Sequence, residues 1–146
     1  MAGVDQVTKT GPKTFTPAEV ILGGQLVEAR AGGRIGVAAA ASVKVLGVAL
    51  SDAQSPDTAA APPTADQFGR PIVNALPIAT SVAVAYGGAE VRLMFSAAAT
   101  FGALLVSTGA GKVGPAAAAA DAALIVGRCT EPAGVATGKT GLVRLV

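Results

Sequence analysis

The sequence predicts an all-β fold: a compact β-barrel or sandwich-like module with at most short helical turns. Three observations carry this. Short runs rich in Val, Leu and Ile recur along the chain and are punctuated by glycine, as in "EVILGG", "SVKVLGVALS" and "VAVAYGGAEVRLMF", which is the pattern of strands bounded by turns. No apolar pattern of helical period is long enough to support an amphipathic helix. The chain also repeats a glycine-marked segment of itself, so the module is built from two related strand-rich units.

In chain order, residues 1–18 come first. They are polar, carry Lys9, Pro12, Lys13 and Pro17, and read as an extended N-terminal arm. A single β-rich domain follows over residues 19–146. Its first strands lie in "EVILGG", "QLVEARAGGRIGVA" and "SVKVLGVALS". Residues 52–78, "DAQSPDTAAAPPTADQFGRPIVNALPI", hold most of the prolines and few strand signals, so they form a Pro/Ala-rich excursion. Strand patterning returns with "VAVAYGGAEVRLMF", where Gly87-Gly88 between two β-rich runs suggests a hairpin. It continues to the C-terminus. The Ala runs at 38–41 and 116–120 are long enough for one helical turn and no more.

The repeat relates residues 24–46 to 102–124 at an offset of 78, with nine of 23 positions identical. Gly24/Gly102, Leu26/Leu104, Gly33/Gly111 and Gly36/Gly114 coincide, and Arg34-Ile35 becomes Lys112-Val113. After a slip of two residues, "VLGVAL" aligns with "IVGRCT" and Gly47 falls on Gly127. Repeated glycines at turns imply repeated turns, because glycine alone takes positive φ at little cost. A Val-Arg-Leu run after each copy, at 91–93 and 143–145, suggests a further correspondence. It places Gly138–Gly141 on Tyr86–Ala89.

Composition narrows the function. Aromatic residues make up 3% of the chain, with no Trp and no His, so the core is assembled from Val, Leu, Ile and Ala, which bury little area each. A chain of this size gains from burial against sister subunits. The net charge is +2 and the basic residues are scattered; without a basic stripe interleaved with aromatics, direct nucleic-acid binding has no support. The single Cys129 excludes an intrachain disulfide and a multi-cysteine metal site. Set in "LIVGRC", it reads as a small buried hydrophobe. The N-terminus lacks the apolar centre of a signal peptide, and "SAAATFGALLV" is too short to span a bilayer. No membrane role and an intracellular site of assembly are expected.

One stretch imitates a nucleotide site. "AGVATGKTG", 133–141, matches a permissive phosphate-binding loop after the strand-like Leu124–Val126. Such a loop needs a helix directly after its Lys-Thr, whose free N–H groups hold the anion. Here six residues follow Thr140, and "GLVRLV" has strand character. The match is read as a turn. Catalytic constellations are equally lacking. Asp52, Asp57 and Asp66 lie in the Pro-rich excursion, Asp121 suits a loop cap, and no Ser, Thr or Cys has a histidine partner. The sequence assigns no catalytic, cofactor-binding or metal-binding residue, and the chain is not expected to be an enzyme.

The second half carries Gly102, Leu104-Leu105, Gly109 to Gly111, Val113 with Pro115-Ala116, Asp121-Ala122, Val126-Gly127 and Val143-Arg144-Leu145. In this order the features resemble the capsid decoration, or cement, proteins of tailed bacteriophages, and the first half carries a weaker version from "GGQLVEA" to "LGVALSDA". The resemblance implies a structural virion protein that binds the outer surface of the mature phage head and stabilises the shell. Its partners would be the major capsid protein and further copies of itself, as a homotrimer. It would be assembled in the host cytoplasm. The alternative is another virion or secreted β-module, such as a tail or adhesin component without catalytic activity. On the decoration reading, the arm residues Lys9, Pro12, Lys13, Phe15 and Pro17 are the expected capsid-binding set. Val91, Leu93 and Phe95, which alternate with Arg92 and Met94, are the expected oligomer contacts.

Overall fold

The computed structural model describes residues 11–60, 67–70 and 78–146. Ten strands form two antiparallel sheets of five. β1 (Lys13–Phe15), β2 (Leu26–Ala29), β3 (Ile35–Val37), β4 (Val45–Ala49) and β5 (Val82–Ala85) make the first, in the order β1-β5-β4-β2-β3. β6 (Glu90–Met94), β7 (Leu104–Gly109), β8 (Lys112–Pro115), β9 (Ile125–Cys129) and β10 (Thr140–Leu145) make the second, in the order β6-β10-β9-β7-β8. Among the described residues, α-helix is confined to α1 (Pro56–Ala59), capped by the Ser55 hydroxyl. The fold is all-β and sandwich-like, and it is not a closed barrel.

The two sheets are the same object built twice. Just past β1, Pro17 bridges Ile35 in parallel; just past β6, Phe95 bridges Val113, both partners displaced by 78 residues. Each sheet therefore curls until its two edges touch at one residue pair. Ile21–Ala53 and Ala99–Val135 are likewise matching antiparallel bridges. β2 and β4 slip register between Val27 and Glu28, and β7 and β9 slip between Leu105 and Val106, the same place in the repeat. The glycine alignment holds at the level of conformation: φ is +70° at Gly33 and +69° at Gly111. Gly47 and Gly127 coincide as well. A side chain at Gly47 would lie 2.0 Å from the carbonyl oxygen of Ala85, and one at Gly127 2.5 Å from that of Arg144.

Two of the expected connections are different. Val91–Leu93 and Val143–Leu145 are not equivalent, because β6 and β10 are neighbours in one sheet, paired from Thr140↔Met94 to Arg144↔Glu90. β6 instead matches β1, and β10 matches β5: Phe15↔Val82 has its counterpart in Leu93↔Gly141. The Gly87-Gly88 turn consequently closes no hairpin. It hands the chain from β5 of the first sheet to β6 of the second, anchored by Gly88 N–H donating to Leu145 C=O and Leu145 N–H donating to Ala89 C=O, at 3.0 and 2.9 Å.

Each curled sheet encloses its own core. Ile21, Val27, Ile35, Ala49, Ala53, Val82 and Val84 fill the first. Ala99, Leu105, Val113, Cys129, Val135 and Val143 occupy the corresponding places in the second, with Leu93 and Phe95. Where the first has Val82 beside Ala53, the second has Gly141 beside Val135; a side chain at Gly141 would meet a Val135 methyl at 2.2 Å. Leu26, Ala38 and Val48 belong to the first sheet but join the second cluster with Val126 and Leu145, which welds the two sheets together.

The weld is completed by the β7–β8 hairpin, whose tip enters the first sheet. Leu26 N–H donates to Gly111 C=O at 2.9 Å, and Gly111 N–H donates to Ala38 C=O at 3.3 Å. Beside them, Ala41 N–H donates to Ser107 C=O, and the buried Ser107 hydroxyl donates to Ala39 C=O at 2.7 Å.

Candidate functional site

Of the residues expected to bind a shell subunit, Pro12, Lys13, Phe15 and Pro17 fall at one edge of the first sheet. Lys9 lies outside the described residues. Pro12 and Lys13 are exposed, and the Lys13 ammonium stands 5.4 Å from the centre of the Phe15 ring. Phe15 is half-buried against the first core, and Pro17 is buried where it bridges Ile35. Residues 11–18 thus take part in the sheet, with Ile35 N–H donating to Thr16 C=O and Ala18 N–H donating to Ile35 C=O. Of the residues expected at an oligomer contact, Leu93 and Phe95 are completely buried in the chain's own second core, and Val91 is half-buried against it. The alternation along β6 is real, but its apolar side is used within the subunit. Its outer side presents Arg92 and Met94.

The resemblance to a phosphate loop ends at Thr140. Gly138 takes φ +73° in a turn, Gly138 N–H donates to Phe95 C=O at 2.8 Å, and the chain passes directly into β10. No helix follows Lys139 among the described residues. Among the described residues no group of three His, Cys, Asp or Glu side chains converges on a point. Asp52 accepts a hydrogen bond from Gly23 N–H at 2.8 Å, and Asp57 pairs with Arg34 and meets the Ser55 hydroxyl. Asp121 accepts from Ala123 N–H at 3.0 Å, as a loop cap does. Cys129 is a free, buried thiol. Among the described residues no helix is long and apolar enough to cross a membrane.

Among the described residues, the one buried charge is structural. The Glu28 carboxylate accepts from Ala39 N–H at 3.1 Å and pairs with Arg30 at 3.2 Å; Arg30 also reaches Glu19 at 3.6 Å and donates to Val37 C=O. The Ser42 hydroxyl is the main cause that holds the Glu28 carboxyl below its ordinary range, helped by the Ala39 N–H and the charges of Arg30 and Lys44 against the effect of burial. This network ties β2, β3 and the 38–44 segment together. Its repeat-equivalent position in the second sheet is Val106, so the network belongs to the first sheet alone.

One of the exposed apolar surfaces lies on the second sheet. Phe101 and Val146 are largely exposed, and Leu104 is 40% exposed. Phe101, Arg128, Thr130, Arg144 and Val146 surround a shallow groove of about 480 Å³. Sequence reasoning missed this surface, because Phe101 and Leu104 sit in a run that reads as an ordinary strand start.

No protein-family model matches the chain, and no curated protein does. Its fold does have a relative among solved structures. The head fiber gp8.5 N base of bacteriophage phi29 superposes with a TM-score of 0.58, covering 94% of this chain and 95% of that one, at 14% sequence identity. At that identity the likeness is one of fold. It extends over nearly the whole of both chains.

Proposed function

We propose that this protein is a structural, non-catalytic component of a phage virion that binds the outer surface of the head as a homo-oligomer, with a trimer as the expected form, and reinforces the shell. The observation that carries this reading is the two-sheet architecture shared end to end with a protein of a phage head fiber. The described acidic side chains suit a structural role: Asp52 and Asp121 accept from backbone N–H groups, Glu28 pairs with Arg30, and among the described residues no three His, Cys, Asp or Glu side chains converge. Capsid contact is assigned to the exposed start of the first sheet, Pro12 and Lys13, together with Lys9. The major capsid protein is the proposed partner, and the head surface, loaded in the host cytoplasm, is the proposed location. Avidity suits the role, since a ring of weakly bound subunits gains roughly 10²–10⁴ in apparent affinity when its sites match in spacing.

The test mixes purified protein with undecorated mature heads and images them. Added density at regular surface positions, with a higher temperature of DNA release, is the expected result. Heads that gain neither density nor heat resistance would overturn the proposal.

A further inference from the structure

The contact that welds the two sheets is made of parts that the repeat supplies twice, and only one of each is used. The seat on the first sheet is the backbone of Leu26 and Ala38, linked to each other by Ala38 N–H donating to Leu26 C=O at 2.9 Å, with the remaining N–H and C=O taken by Gly111. The second sheet builds the same seat from Leu104 and Ala116, where Ala116 N–H donates to Leu104 C=O at 2.8 Å. Among the described residues, the two bonds to Gly111 have no counterpart there. Leu26 is 0% exposed in its occupied seat, whereas Leu104 is 40% exposed.

The plug is duplicated in the same way. The inserted tip Thr108–Lys112 corresponds to Arg30–Arg34 in the first sheet, a hairpin tip closed by Arg30 N–H donating to Arg34 C=O at 2.8 Å. Gly33 shares its positive φ with Gly111, +70° against +69°, although the residues just before differ: Gly109 and Ala110 take φ +96° and +50°, whereas Ala31 opens a 3-10 turn. A side chain at Gly111 would press on Gln25 at 2.6 Å, but one at Gly32 or Gly33 would meet nothing within 4 Å. The two arginines of this free tip are turned onto Glu19, Glu28 and Asp57 of their own half, so they do not oppose an approach to Arg128 and Arg144.

We infer that a second copy of this chain fills the open seat: the Arg30–Arg34 tip of one copy enters between Leu104 and Ala116 of the next, with Gly33 repeating the bonds of Gly111. This deepens the homo-oligomer part of the proposed function and does not depend on a capsid. The contact joins unlike surfaces, so each bound chain still offers one tip and one seat, and chains joined head to tail form a ring where the rotation per contact closes and a filament where it does not.

The geometry within the chain supplies the test. A side chain at Gly109 would place its first carbon 3.7 Å from that of Ala40, the spacing a disulfide requires. The equivalent residues are Ala31 on the free tip and Ala118 beside the open seat, both exposed. The full-length chain carrying both Ala31→Cys and Ala118→Cys should form, on oxidation, covalent species of more than two chains, while each single variant stops at a pair; buried Cys129 takes no part. Sedimentation should show an oligomer for the parent chain and a monomer for Leu104→Asp with an unchanged far-ultraviolet spectrum. Should Leu104→Asp fail to fold, the cysteine pair decides alone. A parent chain that sediments as a monomer, or a double-cysteine variant that links no further than the single variants, overturns the inference. Rings that form but leave heads undecorated would sink the capsid reading and spare this one.

Discussion

At Gly127 the backbone of β9 lies against β10 so closely that any side chain would strike the carbonyl of Arg144, and at Gly47 the carbonyl of Ala85 is nearer still. Backbone cannot swing aside as a flexible side chain can, so Gly127→Ala and Gly47→Ala should each destabilise by about 1–3 kcal/mol or more, the range for overpacking a filled site. Urea denaturation of both variants measures this, and equal losses would show that the two positions are equivalent in energy as well as in place. Glu28 governs a different response. Its carboxyl is held below the ordinary value of 4.5, so the unfolded chain binds a proton more readily than the folded one. The stability it contributes is complete above the unfolded value and drains away as pH falls through the folded one. Thermal midpoints taken from neutral pH downward should therefore drop more steeply below pH 4.5 for the parent chain than for Glu28→Gln. Exposed Asp57, lowered by Arg34, acts in the same direction but is screened by solvent. Lys139→Ala should change stability by less than about 0.5 kcal/mol, since it alters an exposed turn. Calorimetry with ATP should give no heat of binding for either form.

Among the elements, β1 is the one whose role changes most between sequence and structure. Pro12 and Pro17 mark residues 1–18 as an extended arm, of which Lys13–Phe15 form β1, and nothing in "KTF" announces that it supplies a sheet edge. Such short strands are defined by their neighbours, here Val82–Val84 on one side and Ile35 just beyond. Removing residues 1–18 should lower the thermal transition and broaden it, because Phe15 and Pro17 leave the first core. Differential scanning calorimetry against the full chain measures the change. The repeat was legible where glycine was obligatory, at Gly33/Gly111 and Gly47/Gly127, since those positions are fixed by backbone geometry. It was illegible at β6 and β10. Both read Val-Arg-Leu because each has one buried and one exposed face, and that alternation is shared by unrelated strands. The true equivalents, "KTF" with "VRL" and "VAVA" with "GLVR", have almost no letters in common. The open seat was invisible for a similar reason: Leu104 matches Leu26 in sequence, and only the fold reveals that one is covered and the other is not.

For the molecule as a whole, the two halves differ chiefly by an insertion. Ala53 is followed by a long excursion before β5 at Val82, whereas its counterpart Val135 is followed almost at once by β10 at Thr140. The ends of the excursion stay close, with Gln54 N–H donating to Ala79 C=O at 2.8 Å. Replacing residues 56–78 by a short Gly/Ser linker should therefore keep both sheets, with a strand-type circular dichroism spectrum and one cooperative thermal transition, at the loss of the exposed Arg34–Asp57 pair. A variant that loses its transition would show that the excursion is part of the core. The two sheets also differ in when they can form. The first is complete once Ala85 has been made. In the second, the last strand is an inner one: β10 lies between β6 and β9, and residues 90–129 form no continuous sheet without it. On the ribosome the first half can fold while the second is still being synthesised. The second must wait until Thr140–Leu145 clear the exit tunnel. The second core is therefore closed only once Thr140–Leu145 are free to enter between β6 and β9.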